Sequence, residues 1–75
     1  MEEKETINVH VGEQIRLFRK ARRIRQDDMA KQCGISKTYY GKIERGENNV
    51  TISLCYKISQ ALSIRLCELF ENLPD

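Results

Sequence analysis

The sequence has little of what a secreted, metal-binding or membrane-spanning protein needs. Tryptophan is absent, there is one proline, and only three of the 75 residues are cysteine. An odd number of cysteines without CxxC spacing supports neither a disulfide framework nor a zinc cluster, so Cys33, Cys55 and Cys67 are expected to be unpaired thiols. No apolar run approaches the roughly 18 residues that span a bilayer. Residues 1–4 are polar and acidic, unlike a signal peptide. These absences predict a soluble, cytoplasmic protein.

Features of an enzyme are also missing. A chain of 75 residues, of which 40% are hydrophobic, allows one domain but not a sizeable core together with an active-site cavity. The sequence contains no evident nucleophile and base pair, Gly-rich phosphate loop or metal-ligand cluster, and its only histidine, His10, has no partner at ligand spacing. We therefore expect no catalysis and no metal or cofactor. Without a second domain to act as a sensor, no small-molecule ligand is expected.

Charge is distributed unevenly along the chain, although the formal net charge is only +2. Residues 16–45 contain ten Lys or Arg and three acids, a net charge of +7. The remainder contains three bases and eight acids, a net charge of −5. Such a concentration of positive potential would attract a phosphate backbone. The alternative is that these charges are incidental and lie on solvated helix faces that bind nothing.

Residues 26–46 contain small and polar residues at the positions that two crossed helices require. Ala30 would let the helix backbones approach, and Gly34 permits the positive φ of a sharp turn. Ser36 is suited to cap the second helix, and Gly46 to end it. This spacing is typical of a helix-turn-helix. Combined with the positive charge of the same segment, it favours nucleic acid as the partner.

Hydrophobic residues recur at helical spacing along most of the chain and predict an all-α domain of five helices. The predicted helices are, in order, about residues 10–22, a second from Gln26, about residues 36–45, a fourth from the N-cap Thr51, and a short fifth with Leu66, Leu69 and Phe70. We expect residues 1–8 to be a flexible arm, although alternating Ile7, Val9 and Val11 would also suit a short strand. Residues 9–75 would form the single domain.

The pattern resembles the Xre family of phage and bacterial repressors. The matching residues are Gln26, Ala30, Gly34, Ile35, Ser36, Tyr40, Ile43, Glu44, Arg45 and Gly46, and the likeness covers about residues 11–70. Within the family, residues 36–49 are most similar to the small controller proteins of restriction-modification systems. The resemblance implies a compact, lambda-repressor-like domain in which helices 2 and 3 form the helix-turn-helix.

The resemblance also implies which side chains contact double-stranded DNA. Lys37, Thr38, Tyr39 and Lys42 of helix 3 would face the bases, with an exposed ring that covers its own helix as the alternative for Tyr39. Gly41 also matches a base-facing position but has no side chain to read with. Phosphate contacts would come from Gln26, Arg25, Asn48 and Asn49. The alternatives are a solvated Gln26 and an Asn49 that closes its loop by local hydrogen bonds.

This chain departs from the controller pattern at three positions. Lys37 and Asn48 stand where controllers usually have arginine, which changes the geometry of any base or phosphate contact there. Arg25 stands where the family commonly has a Ser or Thr cap. We expect Asp27 and Asp28 to compensate for the missing cap through the helix dipole.

Other matches to the family are structural. Arg19 and Glu44 correspond to a largely buried salt bridge between helices 1 and 3. The last helices would supply a homodimer surface, and the candidates for it are Leu66, Leu69, Phe70, Cys67 and Tyr56. The alternative is that Leu66, Leu69 and Phe70 complete the core of the monomer.

Together these features predict a sequence-specific transcriptional regulator that binds a pseudo-palindromic operator as a homodimer. A restriction-modification controller and a generic Xre regulator both fit the residues. The alternative is a protein-interaction module of the same fold, such as an antitoxin or an anti-regulator. The net charge of +7 on residues 16–45 argues against that alternative, because binding a protein does not require it.

Overall fold

Helices and turns make up the structure, a computed structural model that describes residues 6–73. The α-helices are α1 (Thr6–Ala21), α2 (Gln26–Cys33), α3 (Lys37–Glu44) and α4 (Ile52–Leu62), and they are followed by a 3-10 helix at Leu66–Phe70. No strand occurs among residues 6–73. The all-α prediction is therefore confirmed, but the count of five helices is not, because the last helical segment is a 3-10 helix.

Side-chain caps fix where α3 and α4 begin. The hydroxyl of Ser36 accepts a hydrogen bond from the N–H of Tyr39 at 3.1 Å. The hydroxyl of Thr51 accepts one from the N–H of Leu54, also at 3.1 Å. Both caps satisfy a backbone donor that has no partner within its helix. The N-caps predicted at Ser36 and Thr51 are thus present, and Gly46, predicted to end this helix, follows α3 with a positive φ of 74°.

The helices enclose one hydrophobic core. Helix α1 packs on α3, α2 packs on both α3 and α4, and the 3-10 helix packs against α1 and α4. The buried apolar residues of the core are Val11, Ile15, Met29, Ala30, Cys33, Tyr40, Ile43, Cys55, Ile58, Leu62 and Leu69. Every helical segment contributes to this list. All three cysteines are free thiols, and burial raises the pKa of Cys33 and Cys55.

Helix α1 crosses α3 at very short distance, and Gly12 makes this possible. A Cβ atom at Gly12 would lie 2.6 Å from the backbone oxygen of Glu44 and would also overlap the backbone oxygen of Ile43. No side chain fits in that space. The crossing places the backbones of α1 and α3 in direct contact.

Helix α1 begins at Thr6, earlier than the predicted start near His10. Residues 6–8 are therefore helical, and the predictions of an arm over these residues and of a strand at Ile7 are wrong. Tertiary contacts hold this end of α1: Nδ2 of Asn8 donates to Oδ1 of Asn49 at 2.6 Å. The rest of the predicted arm, residues 1–5, and the predicted domain end, residues 74–75, lie outside the described residues.

The predicted short fifth helix is a 3-10 helix rather than an α-helix. Its five residues, Leu66–Phe70, form a 3-10 helix whose first turn is closed by the Glu68 carboxylate, which accepts a hydrogen bond from the N–H of Arg65 at 2.8 Å. Leu69 is fully buried. This segment therefore completes the core of the monomer.

None of the helices within residues 6–73 combines the length and the apolar character that crossing a membrane requires.

Candidate nucleic-acid interface

Helices α2 and α3 form a helix-turn-helix whose turn depends on one glycine. Gly34 has a φ of 71°, in the left-handed region that favours glycine. The N–H of Ile35 then donates to the carbonyl oxygen of Ala30 at 3.0 Å, which closes the end of α2. Ala30 itself is buried at the junction. The turn fixes how α3 is presented at the surface of the domain.

The first turn of α3 and the start of α2 share a surface depression. Its lining residues are Gln26, Lys37, Thr38, Gly41 and Arg45. Lys37 and Thr38 are exposed, as a base contact requires. Two residues predicted to face bases therefore lie beside Gln26, which was predicted to hold a phosphate. We call this depression, defined by its five lining residues, the reading groove.

The other two predicted base contacts lie outside the reading groove. Lys42 is exposed on α3, one turn after Thr38. Tyr39 is half-buried and packs against the hydrophobic core. This position differs from the alternative of an exposed ring, and the part of the ring that stays exposed leaves a DNA contact by Tyr39 as a prediction.

Gln26 is held in place by α3. Its Nε2 donates to Oε1 of Glu44 at 2.9 Å, and the side chain is half-buried. It is therefore not the freely solvated glutamine of the alternative interpretation. An amide nitrogen carries two hydrogens, so the second can donate to a phosphate while the first is bound to Glu44.

Glu44 lies at the centre of a buried polar network that links all three N-terminal helices. Nε of Arg19 donates to Oε2 of Glu44 at 2.6 Å, and Nη2 of Arg19 donates to Oε1 at 3.2 Å. The remaining terminal nitrogen of Arg19, Nη1, donates to the carbonyl oxygen of Ile24 at 2.8 Å. Arg19 and Glu44, the predicted structural pair, thus tie α1 to α3 and to the loop before α2. The same carboxylate also accepts a hydrogen bond from Gln26 and so orients this side chain in the reading groove.

The network keeps Glu44 ionised despite its burial. Burial alone would raise the pKa of this carboxyl, but the Arg19 guanidinium, together with the Tyr40 hydroxyl and the Gln26 amide, outweighs it and lowers the pKa. Burial and the nearby Glu44 charge raise the pKa of Tyr40 strongly. The Tyr40 hydroxyl is close to this carboxylate but makes no hydrogen bond of ordinary geometry within residues 6–73.

Arg25 occupies the N-cap of α2 and makes no side-chain cap, as its residue type predicts. Its Nη2 instead pairs with Oδ2 of Asp27 at 3.0 Å, and the arginine side chain remains 77% exposed. Oδ1 of Asp27 accepts from the N–H of Asp28 at 3.1 Å and so supplies part of the missing cap. Desolvation would raise the pKa of Asp27, but the Arg25 charge, backbone N–H groups and Lys37 lower it on balance.

The two asparagines of the loop after α3 are not among the residues that line the reading groove. The Asn49 side chain accepts the hydrogen bond from Asn8 and lines an apolar groove between α1 and α4. It closes its loop through a tertiary contact rather than the local backbone bonds of the alternative interpretation. Asn48 is half-buried.

The predicted dimer residues divide into core and surface. Leu69 has no exposed surface, so it belongs to the monomer core rather than to a dimer surface. Leu66 and Phe70 are half-buried, whereas Cys67 and Tyr56 are exposed. Leu69 is buried because the domain is small and its 3-10 helix has to cover α1 and α4.

Sequence reasoning missed three apolar or charged surface residues. Ile52 is 67% exposed on the same face of α4 as Tyr56, and Ile7 is 48% exposed on the neighbouring first turn of α1. Arg45 was considered only as part of the family pattern, although it lines the reading groove. Its spacing of eight residues from Lys37, two turns along one helix face, is the signal that would have identified it.

Comparison with known proteins agrees with this geometry. The helix-turn-helix family model HTH_3 matches residues 15–69. The control protein C.MunI of Mycoplasma sp is 35% identical over 68 residues, which cover 89% of this chain and 92% of C.MunI. The crystal structure of the restriction-modification controller C.AhdI from Aeromonas hydrophila superimposes with a TM-score of 0.80 at 35% identity, covering 83% of this chain and 94% of that one.

A further match is the biofilm master regulator SinR, solved in complex with DNA. Its TM-score is 0.76 at 27% identity, with 81% of this chain and 98% of the chain in that crystal structure covered. Other matched regulators are longer, and this chain spans only 41% of one of them. The family model nonetheless covers well over half of the chain. The chain therefore belongs to the Xre-type helix-turn-helix family of DNA-binding transcriptional regulators.

Proposed function

We propose that this chain binds a pseudo-palindromic operator as a homodimer and regulates transcription from a nearby promoter. The observation that carries the proposal is the reading groove. It combines exposed Lys37 and Thr38 with Gln26, whose amide is already oriented, and it lies in the segment whose net charge is +7. A recognition surface on DNA needs donors for base edges, donors for phosphate and positive potential, and this groove offers all three.

In the proposed complex, α3 enters the major groove with its first turn against the base edges. The ammonium group of Lys37 donates to O6 and N7 of guanine, and Thr38 offers a hydroxyl or a methyl contact to its base. Gln26 and the backbone N–H groups at the start of α2 bind a phosphate, which that helix end attracts. The exposed guanidinium of Arg25 lies close by as a second phosphate donor.

The short reach of α3 supports the proposal of a homodimer. Its eight residues can contact only a few base pairs, so specificity calls for a second copy on a half-site about 10 bp away. Apolar side chains are exposed on α4 and on the first turn of α1, namely Ile52, Tyr56 and Ile7, and a second copy would cover them. Phe70 borders the groove beside them, and we place the dimer contact there.

The extent of the match to control proteins supports a controller-type role. This chain covers 92% of C.MunI and 94% of the solved C.AhdI chain, and both are named as controller proteins. Protein concentration would then be the input, since dimerisation and operator occupancy both depend on it. We place this activity in the cytoplasm and propose no catalysis, cofactor or small-molecule ligand for it.

Selection of bound duplexes from a random DNA pool tests the proposal. The wild type should recover a motif with two related halves, and Lys37→Ala should relax the preference at one position in each half. Lys57→Ala is a matched control, because it removes an exposed lysine from α4, outside the reading groove. Failure of the wild type to recover any motif would refute the proposal. It would instead favour the protein-interaction module as the function.

A further inference from the structure

The face of α3 that borders the reading groove has a gap at its centre. Lys37, Gly41 and Arg45 are spaced four residues apart and therefore lie along one face of the helix. Gly41 has no side chain to reach a base. Yet Gly41 is buried although it belongs to the groove surface, so another group covers it.

The covering group is the guanidinium of Arg45. A Cβ atom at Gly41 would lie 3.2 Å from Nη1 of Arg45 and 4.0 Å from its Cζ. Helical side chains tilt towards the N-terminus of their helix, which is why a side chain at the end of α3 can lie over the preceding turn. Nε of Arg45 donates to Oε2 of Glu47 at 2.8 Å, and this bond orients the plane of the guanidinium. The side chain stays 55% exposed.

We propose that Arg45 is a specificity-determining residue that reads a guanine from the place left open by Gly41. A guanidinium can donate two parallel hydrogen bonds to O6 and N7 of guanine, the most common specific contact in the major groove. Arg45 lines the same groove as Lys37 and Thr38, and its guanidinium lies over Gly41 on the face of α3 that carries Lys37. This place on the reading helix favours a base edge, whereas Gln26, the proposed phosphate contact, belongs to α2. The inference rests on the proposed function, since it assigns one more position of the operator to this groove.

The test compares binding of four proteins to the selected duplex and to single-base variants at each position of one half-site. The proteins are the wild type, Arg45→Ala, Gly41→Ala and the double variant, and fluorescence anisotropy gives the Kd of each pair. Arg45→Ala should lower discrimination for guanine at one position by roughly 10- to 100-fold. Gly41→Ala should shift the guanidinium by a few tenths of an ångström and weaken discrimination at that same position. The double variant should lose no more than Arg45→Ala alone.

Two controls separate this outcome from unfolding and from simple loss of charge. Alanine is a better helix former than glycine, so Gly41→Ala should unfold at the same temperature as the wild type or higher. Arg16→Ala removes an exposed arginine from α1, outside the groove, and should leave discrimination unchanged at every position.

The inference would be overturned if Arg45→Ala weakened binding equally for all duplexes and reduced its salt dependence, since that is the signature of a phosphate contact. It would also be overturned if Gly41→Ala left every preference intact. In both cases a wild-type motif would leave the proposed function standing. Absence of any wild-type preference would instead refute the proposed function, and this inference with it.

Discussion

Replacing Gly12 with alanine should destabilise the domain even though alanine favours a helix. The substitution places one methyl group between α1 and α3. Its carbon would lie 2.6 Å from the backbone oxygen of Glu44 and closer still to that of Ile43. These obstacles are main-chain atoms of α3, so the methyl group fits only if the two helices move apart. Such a movement would stretch the Arg19–Glu44 salt bridge, which joins the same pair of helices.

The expected size of the effect follows from two opposing terms. Alanine in place of glycine within a helix gains about 1 kcal/mol. Forcing extra volume into a packed interface typically costs about 1–3 kcal/mol, and a rigid obstacle such as backbone places this case at the upper end. The net loss should be about 1–2 kcal/mol in the free energy of unfolding. For a domain of this size that corresponds to a melting temperature lower by roughly 5–15 °C.

Urea titration and thermal melting followed by circular dichroism measure this difference. Gly41→Ala is the matched control, because the atom nearest to its added methyl group is the movable end of the Arg45 side chain. The two substitutions are chemically identical and both lie within a helix. A Gly12→Ala variant as stable as Gly41→Ala would refute the packing argument for the α1 and α3 crossing.

The remaining predictions concern the buried network and the cap of α3. Arg19→Ala should lower the free energy of unfolding, measured in urea, by about 3–5 kcal/mol, because it leaves the Glu44 carboxylate buried without its cation. The double variant Arg19→Met, Glu44→Leu should be clearly more stable than Arg19→Ala alone. The fold lowers the pKa of Glu44, so the ionised carboxylate stabilises the fold above the ordinary pKa of about 4.3, and this stabilisation is lost as the pH falls below it. Glu44→Gln should therefore flatten this part of the acid unfolding curve. An unchanged curve would contradict the lowered pKa of Glu44. Ser36→Ala should cost about 1 kcal/mol by the same assay through loss of the N-cap, whereas an unchanged midpoint would show that water replaces the hydroxyl.

Local features of the chain were predictable from sequence. Ser36 and Thr51 cap the helices that follow them, and Gly34 and Gly46 adopt the positive φ for which glycine is suited. These outcomes depend on a few neighbouring residues and on the backbone conformations that each residue type allows. The helix-turn-helix was predictable because most of its determinants are of this kind.

Three features that depend on contacts between distant residues were not predicted from the sequence. The start of α1 at Thr6 is held by the Asn8–Asn49 hydrogen bond between residues far apart in the chain. The sequence does not indicate that Gly12 lies against the backbone of α3, because this contact depends on how the two helices cross. Leu69 had the same pattern whether it faced a partner copy or the core, because periodicity identifies an apolar face but not what covers it.

The reading groove was predictable only in part. Lys37, Thr38 and Gln26 were expected to contact DNA, and the structure brings them together. The bond from Gln26 to Glu44 was not foreseen, because it depends on how α2 docks against α3. The position of Arg45 over Gly41 was not predicted, although the spacing of four residues between them places both on one face of the helix.

The central claim is that two copies of this chain read two half-sites on one face of the duplex. Its most direct test is to measure the affinity and stoichiometry of the wild type on the selected duplex, and then on the same duplex with 5 bp inserted between the half-sites. The account predicts two chains per parent duplex and a large loss of affinity after insertion, because half a helical turn places the second half-site on the opposite face. Equal affinity for both duplexes, or binding of a single chain to the parent, would contradict it.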